Sequence, residues 1–512
     1  MPRGGFARLS AASLGAALAA CALPAPGLWA LAWVGLAPLI VSANSAPTRR
    51  EAAAAGFVAG LAYHGVALHW IYQTCLFARI PFPVAGLAWA ALSCALALNW
   101  ALVALLTRGL AAEGSSAARP WLWALSWTAV AFLSERLTPR LAADLLGYTQ
   151  WPNLALIQAG SWGGPHLLGF VVVLVNAALA EAWLGVREGL TGAAATVSAA
   201  LALAGGLWVH GVSTLLQRPA DMGESARVEI LQPCVDQYHK WDQDFLKEVL
   251  GGYNDLLARP RLKSPSLVVW PETSIPFWVA RSSAVPEARR WALEMKSPQL
   301  VGIVARPDRG EGASNSAQLI APDGNVDGFY AKRQLVPFGE FVPLRGLIPR
   351  FVIENWLVLL DQLGDLAPGA ARQPLLTTAW GRTAVTICYE AMFPRWARLD
   401  ASRGASLLIN ITNDGWYKNT WGPHQHYRAN QFRAVENRIT VIRAGNTGIS
   451  AVIDPWGMET AKLDLDVRGR LDAEVPLTDR FPRRSFYVRN GDWFAAACLA
   501  IILAALLRKG LR

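Results

Sequence analysis

Charge is scarce in this 512-residue chain: 16% of its residues are Asp, Glu, Lys or Arg, while 53% are apolar. Ordinary soluble domains carry about 25% charged residues, so the balance argues against a wholly soluble protein and for a membrane one. Cysteine is scarce too. Its six copies (21, 75, 94, 234, 388 and 498) are thinly spread and four fall in apolar stretches, which excludes a disulfide framework and a CxxC zinc pair. Histidine offers little more. His424 and His426 in GPHQH have no convincing carboxylate or Cys partner in the sequence, so they read as a polar helix start rather than metal ligands. No glycine-rich phosphate loop occurs, and neither metal nor cofactor is expected. The formal charge of +10 comes without a concentrated Lys/Arg block, which argues against nucleic acid as a partner. Many arginines instead flank apolar runs, as topogenic charges do.

Those runs lie near 9 to 25, 27 to 44, 53 to 75, 84 to 107, 118 to 135, 165 to 186, 193 to 215 and 491 to 507. A hydrocarbon core of about 30 Å takes roughly 20 residues of helix, so about eight transmembrane helices are expected. Pro24 and Pro26 interrupt the first two runs, and residues 1 to 21 also read as a signal peptide ending in LAAC at Cys21. Either reading leaves the polar part of the chain on the same side. With the N-terminus inside, the inner ends and loops hold Arg3, Arg8, Arg49, Arg50, Arg108, Arg119, Arg187, Arg508, Lys509 and Arg512. The outer loops before the polar part hold only Arg79, Arg136 and Arg140. Positive-inside topology then puts residues 220 to 485 outside, which in a bacterium is the periplasmic side of the inner membrane.

The predicted domains are therefore a seven-helix part (1 to 219), an extracytoplasmic domain (220 to 485) and a last span with a cytoplasmic tail (486 to 512). The middle one has short β-rich runs at 228 to 235, 266 to 272, 300 to 306, 316 to 324, 383 to 390, 405 to 414 and 447 to 457. Helical patterns cover 241 to 257 and 424 to 438, and PDGN (322 to 325) and DPWG (454 to 457) are hairpin chemistry. A layered α/β or α+β domain of ordinary size is expected. Residues 341 to 372 are oddly apolar for a connection, and two readings stay open: a membrane-touching arm or lid, or a buried helix.

Three polar residues stand at or near strand ends: Glu272 in VVWPETSIP, Lys332 in GFYAKRQLVPFGEFVPL and Cys388 in TICYE. Singly each is weak, since a lone Cys is commonly core and a lone Glu or Lys commonly surface. Together their chemistry coheres. A thiol near its ordinary pKa needs a base to take its proton, which a carboxylate supplies, and a cation to favour the developing charge, which an ammonium supplies.

WPE, then YxK with LVPFGEFVP, then ICYE, then TNDGW resemble the nitrilase superfamily, whose Glu-Lys-Cys triad sits in an α-β-β-α sandwich. The longer strings LVPFGEFVPL, ICYEAMFP, NITNDGWY and RAGNTGISAVIDPWG are similar to one branch, the apolipoprotein N-acyltransferases, which complete bacterial lipoproteins. The resemblance covers nearly the whole chain, and GYTQWPNLALIQAGSWGG (147 to 164) also resembles the branch. It implies that Glu272 is the general base, Lys332 the stabiliser of thiolate and oxyanion, and Cys388 the nucleophile. It also implies supporting roles for Glu340, Tyr389 and Glu390, and places Trp241 near a substrate entrance. Here the chain departs, with QPC at 232 to 234 where the family usually has QGN. The implied reaction takes a phospholipid sn-1 acyl chain, above all from phosphatidylethanolamine, onto Cys388 and passes it to the diacylglyceryl-cysteine amine of an apolipoprotein. Phe277 and Trp278, with the apolar 341 to 372 segment, are expected to guide acyl chains and exclude water. Three readings compete: a Cys-His pair using His239 or His424, a membrane-tethered amidase with the same triad, and a non-catalytic lipid-binding or transport protein.

Overall fold

The computed structural model describes residues 5–111, 116–137, 144–188, 193–220, 222–237, 245–261, 263–275, 277–307, 312–356, 364–477 and 484–510. Its contacts divide the chain into two units: Met1–Leu76, Pro81–Arg218 and Ser485–Arg512 form one, Phe77–Ile80 and Pro219–Arg484 the other.

The first unit is helical because its apolar runs leave the backbone no partner but itself, and in lipid every N–H and C=O must be paired. Among the described residues, four helices are long and apolar enough to span a membrane: Phe82–Leu110, Gly160–Val186, Ala194–Leu216 and Trp493–Gly510. Arg49–Ala67 and His69–Phe77 make a fifth if counted as one span bent by 45°. The expected runs near 9 to 25, 27 to 44 and 118 to 135 yield shorter apolar helices, Gly5–Ala20, Trp29–Asn44 and Arg119–Ser134. The chain between the first two takes left-handed backbone at Ala25 and Gly27, beside the prolines that break the run. In the helix from Arg49, Gly56 and Gly60 form a GxxxG stripe against Trp100. A Cβ on Gly56 would lie 2.5 Å from the Trp100 carbonyl oxygen, so only glycine lets these two backbones approach so closely.

The second unit holds thirteen strands among its described residues. The first sheet runs β13 (Gly469–Pro476), β1 (Ser225–Gln232), β2 (Leu267–Val269), β4 (Gln299–Arg306), β5 (Ser314–Ile320), β6 (Val326–Ala331), with β3 (Trp278–Ala280) also on β4. The second runs β12 (Glu459–Leu463), β11 (Ser450–Ile453), β10 (Thr440–Gly445), β9 (Leu407–Thr412), β8 (Gly381–Ile387), β7 (Leu376–Thr378). β1 pairs antiparallel with β13 along its whole length, Ser225 facing Pro476 and Gln232 facing Gly469.

β1 lies near β10, and β5 near β8, while Trp380 Nε1 donates to the Val475 carbonyl at 3.1 Å. Helices Leu246–Leu257 and Pro286–Met295 bury Tyr253, Leu256, Trp291 and Met295 against Leu231, Val268, Trp270 and Val301 of the first sheet. Helices Pro394–Ser402 and Trp421–Asn437 lie against β8 and β10 of the second. Both hairpin signals fold as turns: Asn325 N donates to Asp323 Oδ1, and Trp456 N to Asp454 Oδ1, with Gly324 and Gly457 in left-handed backbone. In the described part of the apolar 341 to 372 segment, Leu344 and Leu347 are 75% and 79% exposed, and Phe351, in the helix Arg350–Trp356, is 57% exposed. That favours the arm over the buried helix for its described part.

Candidate active site

Glu272 follows β2 by three residues, on a turn that crosses the neighbouring strand. Thr273 takes left-handed backbone, and Ser274 N returns to the Gly302 carbonyl at 2.8 Å. The turn rests directly on β4. A Cβ on Gly302 would sit 2.2 Å from the Pro271 carbonyl oxygen and 2.7 Å from the Glu272 Cα. Gly302→Ala is therefore expected to push the carboxylate out of place at a cost of about 1–3 kcal/mol. A lower melting temperature together with slowed Cys388 acylation is the expected reading, and unchanged values in both would refute this support.

Lys332 caps the end of β6. Its buried ammonium donates to Glu340 Oε1 at 2.9 Å and to Glu272 Oε1 at 3.4 Å. Asn315, opposite on β5, donates its one Nδ2 group to Glu272 Oε1 (2.6 Å) and Glu340 Oε1 (2.7 Å). The two carboxylates thus converge on two shared donors. Their remaining oxygens accept backbone N–H groups, Glu272 Oε2 from Asn413 at 2.8 Å and Glu340 Oε2 from Val336 at 2.8 Å. Burial pulls the Lys332 pKa down, yet Glu340, Glu272 and Cys388 together hold it well above its ordinary value. The ammonium stays charged.

Cys388 is the first residue after β8, buried, with φ of +51° where β-strand gives way to a tight turn through Met392. The register pairs Ile387 with Ile411 on parallel β9, so Cys388 comes alongside Thr412. Burial pushes its thiol up, Glu272 and Asp414 add to this, and Lys332 and a hydrogen bond with Thr412 only partly offset them. The resting sulfur is a thiol.

Glu390 clasps the two strand ends together. Its Oε1 accepts from Arg333 N (2.6 Å) and Gln334 N (3.1 Å), just after Lys332, while Oε2 accepts from Ile387 N (2.7 Å) and the Tyr330 hydroxyl (2.7 Å). Tyr389 packs edge-on against Phe393, centroids 5.0 Å apart. Phe277 packs against the core of the first sheet and Trp278 lies under Arg306, 4.4 Å from ring centroid to guanidinium carbon. Trp241 and His239 fall outside the described residues.

The sequence did not single out Asn315, Thr412, Asn413 or the buried charges behind them. Asp414 Oδ1 accepts from Thr412 Oγ1 (3.1 Å) and lies 2.8 Å from His426 Nδ1, while Oδ2 accepts from Arg443 at 2.5 Å. Burial alone would raise the Asp414 pKa, but Arg443 and His426 hold it well below the usual carboxylate range. His426, expected at a polar helix start, is fully buried in this network. The string NITND was the available signal, since it places Asn410, Thr412, Asn413 and Asp414 at the end of β9.

The carbon-nitrogen hydrolase family matches residues 240–481, and the apolipoprotein N-acyltransferase N-terminal domain matches residues 15–178. A relative from Geobacter metallireducens is 35% identical over 504 residues, covering 97% of this chain and 94% of its own. Relatives from Agrobacterium fabrum (31% identical; 93% and 91% covered) and Azotobacter vinelandii (34%; 94% and 91%) also align over most of both chains. All three carry the name apolipoprotein N-acyltransferase. Similar to them from its membrane helices through its carbon-nitrogen hydrolase region, the chain belongs to the apolipoprotein N-acyltransferase family.

Proposed function

We propose that this membrane protein N-acylates the diacylglyceryl-cysteine that begins an apolipoprotein, the final step of lipoprotein maturation. The observation that carries this reading is the buried cluster of Glu272, Lys332 and Glu340, set within the electrostatic reach of Cys388 in a chain of this family. Its domains read as a seven-helix membrane part (1 to 219), a nitrilase-like α-β-β-α sandwich (220 to 485) and an eighth span with its tail (486 to 512). The catalytic domain faces the periplasm from a bacterial inner membrane.

In the first half-reaction the Cys388 sulfur attacks the sn-1 ester carbonyl of a phospholipid, phosphatidylethanolamine by preference, as its proton passes to Glu272. Lys332 and the Tyr389 backbone N–H stabilise the oxyanion. The C–O bond then breaks, Glu272 returns the proton to the leaving alkoxide, and a lysophospholipid departs from the thioester. In the second, the neutral α-amine of the diacylglyceryl-cysteine attacks, its proton passes to Glu272, and the C–S bond breaks to give the amide and the thiol. Glu340 fixes the Lys332 ammonium, and Glu390 fixes the turn that carries the sulfur.

Water must be kept from the thioester. Phe277, Trp278 and the exposed arm with Leu344, Leu347 and Phe351 serve that purpose and guide acyl chains. Serine at Leu347 and Phe351 is expected to raise thioester hydrolysis relative to peptide acylation. An unchanged partition between free fatty acid and acylated peptide would remove this role from the arm.

Intact mass of the purified protein after incubation with phosphatidylethanolamine tests the whole reading. Wild type is expected to gain one fatty-acyl mass, lost on addition of a diacylglyceryl-cysteine peptide, and Cys388→Ala to gain none. Acyl-enzyme that discharges only to water would favour the amidase alternative, and an unmodified wild-type protein would favour a binding role.

A further inference from the structure

Within the helical unit lies a cavity of about 60 Å³ lined by both apolar and ionisable side chains. At roughly 10–15 Å³ per water on this measure, it has room for about four small heavy groups. Its lining includes Tyr63, Trp100 and Trp127, with ring centroids 4.9 Å apart for the first pair and 4.6 Å for the second, together with Glu135, Asp144, Ser134 and Asn99. Ionisable groups in membrane helices are expensive to bury and commonly mark a ligand path.

The chemistry of the walls selects the ligand. Asp144 Oδ2 meets His64 Nδ1 at 2.8 Å, and Glu135 Oε1 stands 3.2 Å from His166 Nε2. That Glu135 oxygen is buried, and Glu135 and Asp144, each beside a histidine, both line the cavity. Asn99 donates to Ser134 Oγ at 3.0 Å, which leaves the Ser134 proton available. No Lys or Arg lines the cavity among the described residues. Carboxylates repel a phosphate, while aromatic faces and a carboxylate acceptor in a desolvated site together attract an organic cation.

We propose that this cavity seats a primary alkylammonium group. Two lipid-borne sources carry one: the ethanolamine of a phospholipid headgroup, and the α-amine of a lipidated peptide. Glu135 and Asp144 supply the charge, and Trp100 and Trp127 the ring faces. The assignment of these sources rests on the function proposed above, and it gives the helical unit a part in choosing substrate rather than only anchoring the catalytic one.

The test uses full-length Cys388→Ala protein, so that binding is read without turnover, and measures dissociation constants in detergent for short-chain lipids and peptides. Phosphatidylethanolamine is compared with phosphatidylglycerol, and a diacylglyceryl-cysteine peptide with its N-acetylated form. At least a 10-fold preference for the ammonium form is expected in one of these pairs, and which pair shows it identifies the source. Adding Glu135→Gln or, as a second variant in case the first misfolds, Asp144→Asn is expected to erase that preference while leaving the phosphatidylglycerol or N-acetylated affinity within 2-fold. No preference in the parent, or a preference that survives both substitutions, overturns the proposal. The acyl-enzyme assay separates the two readings: ammonium-selective binding without a Cys388 adduct would sink the function and spare this site, and the converse would do the reverse.

Discussion

Glu272→Gln is expected to slow Cys388 acylation by about 10²–10⁴-fold, the usual contribution of a positioned general base. The size follows from the thiol's surroundings. Burial and the neighbouring carboxylates push its pKa up, so thiolate is scarce at neutral pH and the proton must leave as sulfur attacks. The same substitution has an opposite effect on unassisted chemistry. A group whose pKa is raised stays protonated until the pH climbs past that raised value, and Glu272 is one of the causes of the rise. Removing its charge brings the thiol back toward its ordinary range, so alkylation by iodoacetamide is expected to reach half its maximum at lower pH in Glu272→Gln than in wild type. Acyl transfer falls while alkylation moves to lower pH. A variant in which alkylation moved to higher pH, or acyl transfer stayed intact, would deny Glu272 the role of base.

Glu390→Ala is expected to be the most destabilising single change in the site. It strips the acceptor from three backbone N–H groups, of Ile387, Arg333 and Gln334, and from the Tyr330 hydroxyl, all in a fully buried place. Each buried donor left unsatisfied costs about 1–3 kcal/mol, so a loss above about 4 kcal/mol is expected even if part of the site rearranges. Denaturant unfolding of the purified variant reads this directly. A loss under about 1 kcal/mol would mean that water or a neighbour takes over the clasp.

The sequence made Glu272, Lys332 and Cys388 visible because each follows an apolar run that the fold turns into strand, and the motif strings set them in family order. Asn315 was invisible for the opposite reason. It lies inside β5 as one polar residue among others, and its bridging of two carboxylates exists only once β2, β5 and β6 are side by side. β10 was passed over because Arg443 interrupts TVIRAG, and only the fold shows that guanidinium buried on Asn410 and Asp414. β12 and β13 carry charges at alternate or nearly alternate positions, so they read as loop although they pair along their length. In the helical unit, apolarity marked the runs, but hydropathy says nothing of where a run bends. Among the described residues, three of the eight runs give helices too short to span and one is bent between Ala67 and His69, which leaves four of spanning length.

The pairing of β1 with β13 has a consequence for biogenesis. β1 is among the first parts of its unit to leave the ribosome, and the strand that covers its outer edge is nearly the last. At ~5–20 residues per second, synthesis of the intervening chain takes on the order of tens of seconds. Through that interval β1 waits with its hydrogen-bonding edge open, a template for wrong partners. Long-range closure of this kind folds slowly, so this unit's yield in the cell depends on whatever shields residues 225–232 until 469–476 arrive.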